Sequence, residues 1–443
     1  MEYISIIAFV IALIAVGYLV SKRILRISAN IKLGRQVARY DKRGERLKTM
    51  FLIALGQGKM FHRPLVGFLH FIIYAGFLLV NIEVLEIIID GVTGQHRVFS
   101  NFLPAPFYNA LIGFFEFLAV SVLLVCIVFL SRRNFMKVAR FQKPEIRGWA
   151  KLDANLILVF EIVLMSAILI MNATDSILQT RHVHHYVEVG KFWFSQFLIP
   201  IFSGIENNTV LVVIERTAWW LHILGIMGFA LYVTYSKHLH IFLAFPNTYF
   251  SNLEARGKFN NHPVVTREVQ LALGLIQDDG SPPETTRFGA KDATDLTWKN
   301  LMDAYSCTEC GRCSSSCPAN LTGKKLSPRK VMMDTRDRIE ELGIILESGK
   351  SLADALATGN ALYSDQYVSK EELMACTTCN ACVEACPINI DPLSIIIQMR
   401  QYIAMEESAT PPAWTAMLQN IETSFSPWKF APTDRFNWVN EVK

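Results

Sequence analysis

The sequence predicts a mainly α-helical protein in which five membrane-spanning helices precede a smaller helical domain that contains most of the cysteines. Three observations lead to this prediction. The 443 residues are 51% hydrophobic and only 19% charged, a composition typical of partly membrane-embedded chains. Five long apolar runs occupy the first half of the chain. Eight of the nine cysteines lie in two short runs in the second half.

Each apolar run approaches the roughly 20 residues that a helix needs to cross a bilayer. The runs cover residues 4–20, 65–89, 107–130, 153–173 and 209–236. The first run does not resemble a cleaved signal peptide, because its basic residues follow it rather than precede it. We therefore expect a five-helix membrane bundle.

Lysine and arginine are unevenly shared among the connections between these runs. Residues 21–64 are strongly basic, and the connection after the third run contains Arg132, Arg133, Lys137, Arg140, Lys143, Arg147 and Lys151. The 90–106 connection has only Arg97, and the 174–208 connection only Arg181 and Lys191. Because basic residues accumulate on the cytoplasmic side, we expect a multi-pass protein of the cytoplasmic (inner) membrane with its N-terminus outside and its C-terminal domain in the cytoplasm.

Four segments are predicted along the chain. They are a transmembrane domain (1–243), a linker (244–300), a cysteine-containing domain (301–405) and a partner-docking tail (406–443). Pro246 and the Asp278–Pro283 run interrupt any long helix in the linker. The basic stretch 21–60 fits a helix on the membrane surface or one packed on the C-terminal domain.

Local signals predict a short helix at Ser351–Ala357, two longer helices in the C-terminal domain and an aromatic tail after it. Pro328–Leu342 is expected to be helical and to end at Gly343. A second helix is expected from Asp391, an N-cap, to Met405, with Pro392 in its first turn. The scattered aromatic residues of the tail indicate a segment that folds against a partner.

Both cysteine runs have the spacing C-x2-C-x2-C-x3-C-P, which ligates [4Fe–4S] clusters in two-cluster ferredoxins. In that arrangement the fourth cysteine of each run ligates the other cluster. The predicted ligand sets are Cys307, Cys310, Cys313 and Cys386 for one cluster, and Cys376, Cys379, Cys382 and Cys317 for the second. A zinc site would use two separated pairs, and disulfides suit small oxidised scaffolds, so both alternatives are disfavoured. The ninth cysteine, Cys126, is expected to be a small buried apolar residue.

Histidines in and beside the second and fifth runs predict b-type heme, since no C-x-x-C-H motif for covalent attachment is present. On the fifth helix, His222 and His240 are eighteen residues, or five full turns, apart and project from the same face, and His238 points nearly to the opposite face. We expect His70 and His222 to hold an outer heme, and His62 and His240 an inner one. The short offset between His62 and His70 leaves a single heme as the alternative.

The remaining charged groups exclude some functions and leave others open. A net charge of +4 gives no indication of nucleic-acid binding, and no nucleotide-binding glycine loop or nucleophile elbow is recognisable. Four carboxylates lie in or near the apolar runs: Glu83, Glu86, Glu116 and Glu161. They fit either proton transfer or hydrogen bonding between helices, and the sequence does not choose.

These residues carry a family resemblance. The five runs with paired histidines resemble the membrane cytochrome subunits of respiratory nitrate reductase and of methanogen heterodisulfide reductase. The segments Phe288-Gly289, Asp295–Trp298, Cys307–Cys313, Cys317–Gly323 and Leu326–Arg329 resemble membrane-bound iron–sulfur oxidoreductases of the heterodisulfide reductase type. That group includes electron-transfer-flavoprotein:menaquinone oxidoreductases, in which a third, cysteine-rich catalytic module follows.

The resemblance implies an oxidoreductase subunit that passes electrons between a cytosolic donor and menaquinone. The donor would be electron transfer flavoprotein or a similar protein, acting through a separate cysteine-rich subunit, because the cysteine-rich repeats are absent before Lys443. Two other interpretations remain open: a quinol-oxidising subunit with the reverse electron flow, and a heme-free membrane anchor whose clusters are structural or sensory.

Overall fold

A computed structural model describes residues 2–136, 138–259, 261–278, 280 and 287–442. Lys137 of the basic connection, Asp279 and Ser281–Pro283 of the predicted linker, and Lys443 lie outside the described residues. The first part of the chain contains α1 (Glu2–Lys32), α2 (Arg43–Met50), α3 (Pro64–Thr93), α4 (Ala105–Asn134), α5 (Trp149–Thr180), α6 (Ile199–Ser203), α7 (Asn208–Val233), α8 (His240–Tyr249) and α9 (Pro263–Ala272).

Five of these helices are long and apolar enough to cross a membrane, which confirms the predicted number: α1, α3, α4, α5 and α7. Consecutive members α3, α4, α5 and α7 pack side by side, and α1 packs against both α3 and α7. Close approach is possible where glycine faces a large side chain, as at Gly91 beside Phe9, where a Cβ atom would lie 2.7 Å from the ring. Cys126 is fully buried in this apolar core, as predicted.

The fifth long helix is shorter than predicted and does not reach His240. It ends at Val233, and a 3₁₀ turn at Lys237–Leu239 separates it from α8. The Ser236 hydroxyl accepts the N–H of His238 (3.1 Å) and donates to Asp153 of α5 (2.7 Å), which holds the chain out of the helix. The prediction that His222 and His240 share one face of a continuous helix is therefore wrong.

The second part of the chain is also helical. It contains α10 (Trp298–Ser306), α11 (Arg312–Ser316), α12 (Pro318–Leu321), α13 (Pro328–Glu347), α14 (Leu352–Ala357), α15 (Lys370–Met374), α16 (Ala381–Ala385), α17 (Pro392–Met405), α18 (Pro412–Ser424) and α19 (Asn437–Glu441). Asp391 caps α17 as predicted, since its carboxylate accepts the Ser394 N–H at 2.9 Å. No strand longer than an isolated bridge occurs among the described residues.

One predicted helix end in this part is wrong. The sequence predicts that Gly343 ends α13, but the helix continues to Glu347. Gly343 is needed for packing instead, because a Cβ atom there would collide with the Asn30 side chain of α1. Glycine thus allows α1 to approach α13, and its lower helix propensity is tolerated.

Residues 287–405, named here the cysteine domain, pack against one end of the helix bundle. At this cysteine end, Arg23 of α1 pairs with Glu340 of α13 (2.8 Å), and Arg329 of α13 pairs with Glu145 from the α4–α5 connection (2.8 Å). The Arg35 amide also donates to the Leu296 carbonyl (2.7 Å). The sequence predicts a helix over residues 21–60, but these residues form the end of α1, then α2 and the segments around them, and several of them contact the C-terminal domain. The 94–104 and 181–207 connections lie at the opposite end, named here the far end.

Candidate functional site

The two cysteine runs fold in the same way. In each run, the residue before and the residue after the second cysteine have positive φ: Glu309 (55°) and Gly311 (72°) in the first, Thr378 (54°) and Asn380 (63°) in the second. These left-handed residues on either side of the second cysteine curl the backbone, so that three closely spaced thiols can turn toward one centre. A short helix, α11 or α16, then contains the third cysteine and ends at the fourth.

The helices α11 and α16 pack against each other, which brings the fourth cysteine of each run to the other run. One cavity is lined by Cys307, Cys310, Cys313 and Cys386. Burial raises the pKa of the Cys307 thiol to about 12, and the neighbouring Cys310 and Cys386 add to this effect. Buried thiols of this kind are normally protonated, so a bound metal is what would favour their thiolate form.

The other four cysteines gather in the same manner. The pKa of Cys376 is raised by burial first and then by the charges of Cys317 and Cys379. Burial also raises the pKa of Cys382, and Cys376 and Cys317 are among its neighbours. The Thr378 N–H points at the Cys376 sulfur (3.4 Å). The described residues contain no tight group of three or more ligands for a single metal ion.

The first set of cysteines lies where the cysteine domain contacts the segment before α3. The Lys59 ammonium donates to the carbonyls of Glu384 (3.1 Å) and Cys386 (3.3 Å). Arg312, between Cys310 and Cys313, donates in return to the Lys59 carbonyl (3.1 Å). These contacts fix the first set against the bundle and surround it with positive charge, which suits an anionic metal centre.

A buried ion-pair network centred on Lys237 connects the first cysteine run to the end of α7. The Lys237 ammonium contacts Glu309 (2.5 Å), the Ala150 carbonyl (2.6 Å) and Asp153 of α5 (3.7 Å). Arg336 pairs with Glu309 from the other side (2.9 Å). Burial acts to raise the pKa of Glu309, but the charges of Lys237 and Arg336 hold it below its ordinary value.

Three histidines meet at this same end of the bundle. His240 Nδ1 lies 3.2 Å from the Lys237 carbonyl, and its ring is 5.4 Å from that of His238. Burial lowers the pKa of His240 to about 4. The pKa of His238 is lowered by burial and then by the charges of His240, Lys237 and His70, so His70 lies nearby. The sequence excludes His238 from the predicted heme site, because its helical position is expected to point away from His222 and His240. No other sequence signal identifies His238.

The other two predicted heme ligands lie apart from this group. His222 is 1% exposed, its Nδ1 lies 2.9 Å from the Leu164 carbonyl of α5, and its Nε2 has no hydrogen-bond partner among the described residues. His62 is exposed on the 3₁₀ turn that precedes α3. In the part of the chain that the structure describes, no hydrogen bond or ring contact joins His70 to His222 or His62 to His240.

Substitution of Lys237 tests the contact between the first cysteine run and the end of α7. Replacing it with methionine leaves Glu309 and Asp153 buried with less compensating charge, which we expect to cost about 3–5 kcal/mol in free energy of unfolding. Lys299→Met is the matched control, since it removes another buried lysine–carboxylate pair (Asp303, 2.6 Å); Lys299 also donates to Asn247, but it pairs with neither Glu309 nor Asp153. The midpoint temperature of thermal unfolding should fall for both variants. Only Lys237→Met should alter the paramagnetic resonance spectrum of a bound cluster. Identical spectra for both variants would contradict the assigned role.

The cysteine region matches a known family, and two longer proteins match most of the chain. Residues 306–390 match the family model described as a 4Fe-4S dicluster domain. The chain therefore contains a dicluster iron–sulfur domain, and two relatives that match most of its length are named as oxidoreductases. No solved structure matches the chain.

Among the curated relatives is "Probable iron-sulfur-binding oxidoreductase FadF" of Bacillus subtilis, which is 30% identical over 96% of this chain and 59% of its own length. "EtfAB:quinone oxidoreductase" of Syntrophomonas wolfei is 26% identical over 92% of this chain and 55% of its own length. A chain of the dihydromethanophenazine:CoB–CoM heterodisulfide reductase of Methanosarcina mazei is 24% identical over 33% of this chain and 36% of its own length. The chain thus spans little more than half of the first two relatives, and the predicted resemblance is confirmed.

Proposed function

We propose that this chain is a membrane electron-transfer subunit between a cytosolic redox protein and menaquinone. When bound, two [4Fe–4S] clusters and b-type heme would carry single electrons between these partners. The observation that supports this most is the Glu309–Lys237–His240 connection. It runs from the first cysteine run to the half-buried imidazole of His240 at the end of the bundle. The chain's own contribution is to hold the two sites next to each other.

The proposed cluster ligands are the two crossed sets, Cys307, Cys310, Cys313 and Cys386, and Cys376, Cys379, Cys382 and Cys317. The shared cavity supports the first set, and the mutual charge effects support the second. Backbone N–H groups near the sulfurs, such as that of Ile390 at 3.3 Å from Cys386, would stabilise negative charge on the thiolates.

The hydrogen bonding of two histidine side chains leaves one ring nitrogen of each available as an axial heme ligand. Both His222 and His240 have Nδ1 beside a backbone carbonyl, so that the proton sits there and Nε2 is left for a metal. On α3 we propose His70, which lies near His240. For the remaining axial position, the predicted His62 and the half-buried His238 are the two candidates.

We further propose that the cysteine end faces the cytoplasm. The basic residues that follow the first and third spanning helices lie at this end, and basic connections remain on the cytoplasmic side. A reducing compartment also suits eight cysteines that are free of disulfides in the described structure. The far end would then face the outside.

The tail has the properties of a docking element for a cysteine-rich, heterodisulfide-reductase-like subunit. Helix α18 exposes a stripe with helical spacing, formed by Trp414, Met417, Leu418 and Ile421. An apolar stripe of this kind normally occupies a groove on a partner. We propose that the partner receives electrons from electron transfer flavoprotein or a similar donor, in keeping with the relative named EtfAB:quinone oxidoreductase.

Leu418→Glu tests the docking proposal. Leu418 is 53% exposed, and a carboxylate in the middle of the stripe should weaken binding of the cysteine-rich subunit about tenfold or more. Gln419→Glu adds the same charge on the exposed polar side of the helix and should leave binding unchanged. Co-purification from native membranes and titration of the separate subunit measure the difference. Equal binding by the two variants would refute α18 as the docking element.

The overall proposal is tested by mixing the anaerobically reduced protein with a menaquinone analogue and following absorbance. We expect the b-heme α band to lose intensity as the quinone is reduced. Protein that has iron–sulfur absorbance but no heme band would instead support a membrane anchor. Redox titration of the centres against the quinone then gives the direction of electron flow.

A further inference from the structure

Three carboxylates form a row along one face of α3. Glu83, Glu86 and Asp90 are separated by three and four residues, the spacing that places side chains on the same face of a helix. At 1.5 Å per residue, the row is about 10 Å long. Asp90 lies one turn before α3 ends at the far end, and Glu83 lies inside the bundle.

The outer two carboxylates are fixed by hydrogen bonds. Asp90, half-buried, accepts the backbone N–H groups of Arg97 and Val98 (both 2.9 Å). Glu86 is buried and accepts the Phe99 N–H (2.9 Å) and the Tyr108 hydroxyl (2.8 Å). These contacts hold both carboxylates in place on this face of α3, and for Glu86 the sequence left hydrogen bonding and proton transfer open.

Glu83 is different. It is 3% exposed, and among the described residues it takes part in no hydrogen bond or ion pair. The charges that act on it are those of Arg97, Glu86 and Glu116. A carboxyl group in the apolar part of a bundle is costly without a partner, and such groups commonly bind and release protons.

Arg97, the positively charged side chain that acts on Glu83, is hydrogen-bonded to other residues. Arg97 donates to Asp175 (3.0 Å) and to Asn172 (2.7 Å), and Asp175 also contacts His96 (3.1 Å). Glu116 of α4 is occupied by Asn172 (3.1 Å), by the Phe194 N–H (2.8 Å) and by the Ser195 hydroxyl. From α1, the side chains near this part of α3 are the apolar Phe9 and Ile6.

The depth of Glu83 is close to that of His222. Glu83 lies ten residues, or about 15 Å, from the end of α3, and His222 lies fourteen residues, or about 21 Å, from the start of α7. Both of these helix ends are at the far end. The row of carboxylates therefore leads from the far end toward a proposed heme ligand that lies about one helical turn deeper.

We propose that Glu83, Glu86 and Asp90 transfer protons between the far end and the interior of the bundle. This inference rests on the proposed function, because reduction of a quinone to a quinol consumes two electrons and two protons as both carbonyl oxygens become hydroxyls. Electrons enter from the cysteine end, and the row supplies protons from the opposite end. Glu83 is the innermost donor, and Glu86 and Asp90 restore its proton.

Glu83→Gln keeps the shape of the side chain but removes its ability to exchange a proton. The protein, purified with its partner, is placed in phosphatidylcholine vesicles, reduced with dithionite under anaerobic conditions, and mixed with a menaquinone analogue. Reoxidation of the b heme should be slowed roughly a hundredfold, with iron and heme content unchanged. Glu161→Gln removes a carboxyl group from α5, outside the row, and should react like the unmodified protein.

A second measurement separates proton transfer from a structural effect. The redox-difference infrared spectrum of the unmodified protein should contain a carboxylic-acid carbonyl band that Glu83→Gln lacks and Glu161→Gln retains. A full rate of reoxidation in Glu83→Gln, or an unchanged infrared band, would overturn the proton-transfer role while the proposed function stands. If the unmodified protein does not react with the quinone, both proposals are refuted.

Discussion

Replacing Cys386 with serine is expected to remove the iron–sulfur cluster held by the first cysteine run, although Cys386 belongs to the second run. The reason is that Cys386 lines the same cavity as Cys307, Cys310 and Cys313. Iron content should fall from about eight to about four atoms per chain if only one cluster is lost. Cys126→Ser is the matched control, because Cys126 is buried in the bundle far from either run in sequence. It should retain all of its iron.

The identity of the lost cluster distinguishes crossed from uncrossed ligation. Paramagnetic resonance of the reduced protein should show the same missing signal in Cys386→Ser as in Cys310→Ser. Cys317→Ser should match Cys379→Ser in the same way, because Cys317 lies near Cys376 and Cys382. If Cys386→Ser instead matched Cys379→Ser, each run would hold its own cluster and the crossed assignment would be wrong.

His222→Ala is expected to abolish binding of one b-type heme. The Leu164 carbonyl fixes Nδ1 of His222, and the buried Nε2 is the atom available to a metal. Heme per chain, measured from the dithionite-reduced spectrum of the pyridine adduct, should fall by one equivalent. His184→Ala, at an exposed residue of the 181–207 connection, should retain the full amount.

The result for His222 must be separated from misfolding. Iron content and the cluster signals of His222→Ala should remain normal, because His222 lies inside the bundle, eleven residues or about 16 Å from the end of α7 that is near the cysteine domain. Unchanged heme in a folded variant would exclude His222 as a ligand. His62→Ala and His238→Ala, compared in the same assay, identify which of the two completes the set.

The sequence was sufficient for the five long helices, because each is encoded locally by an apolar run of sufficient length. The spacing of each cysteine run also predicts the crossed grouping, because it corresponds to one known ligand geometry, and this grouping stays a prediction. The end of α7 was not predictable in this way. It depends on Asp153 and Glu309, which come from α5 and from the first cysteine run and meet Ser236 and Lys237 only in the folded protein.

Two further features depended on contacts between distant residues. Gly343 has the local properties of a helix terminator, yet the approach of Asn30 places it inside α13. Glu83, Glu86 and Glu116 were equivalent in the sequence, and only tertiary hydrogen bonds separate the two that are paired from Glu83. Local patterns therefore identified the candidate residues, while their pairing required the three-dimensional arrangement.

The central claim is that iron–sulfur clusters and b-type heme are held side by side at the cysteine end of one chain. Determination of iron, acid-labile sulfide and heme per chain in anaerobically purified protein tests it most directly. We predict about eight iron and eight sulfide atoms in clusters, together with at least one b heme. Protein that carries the clusters but binds no heme under any reconstitution condition would contradict the account.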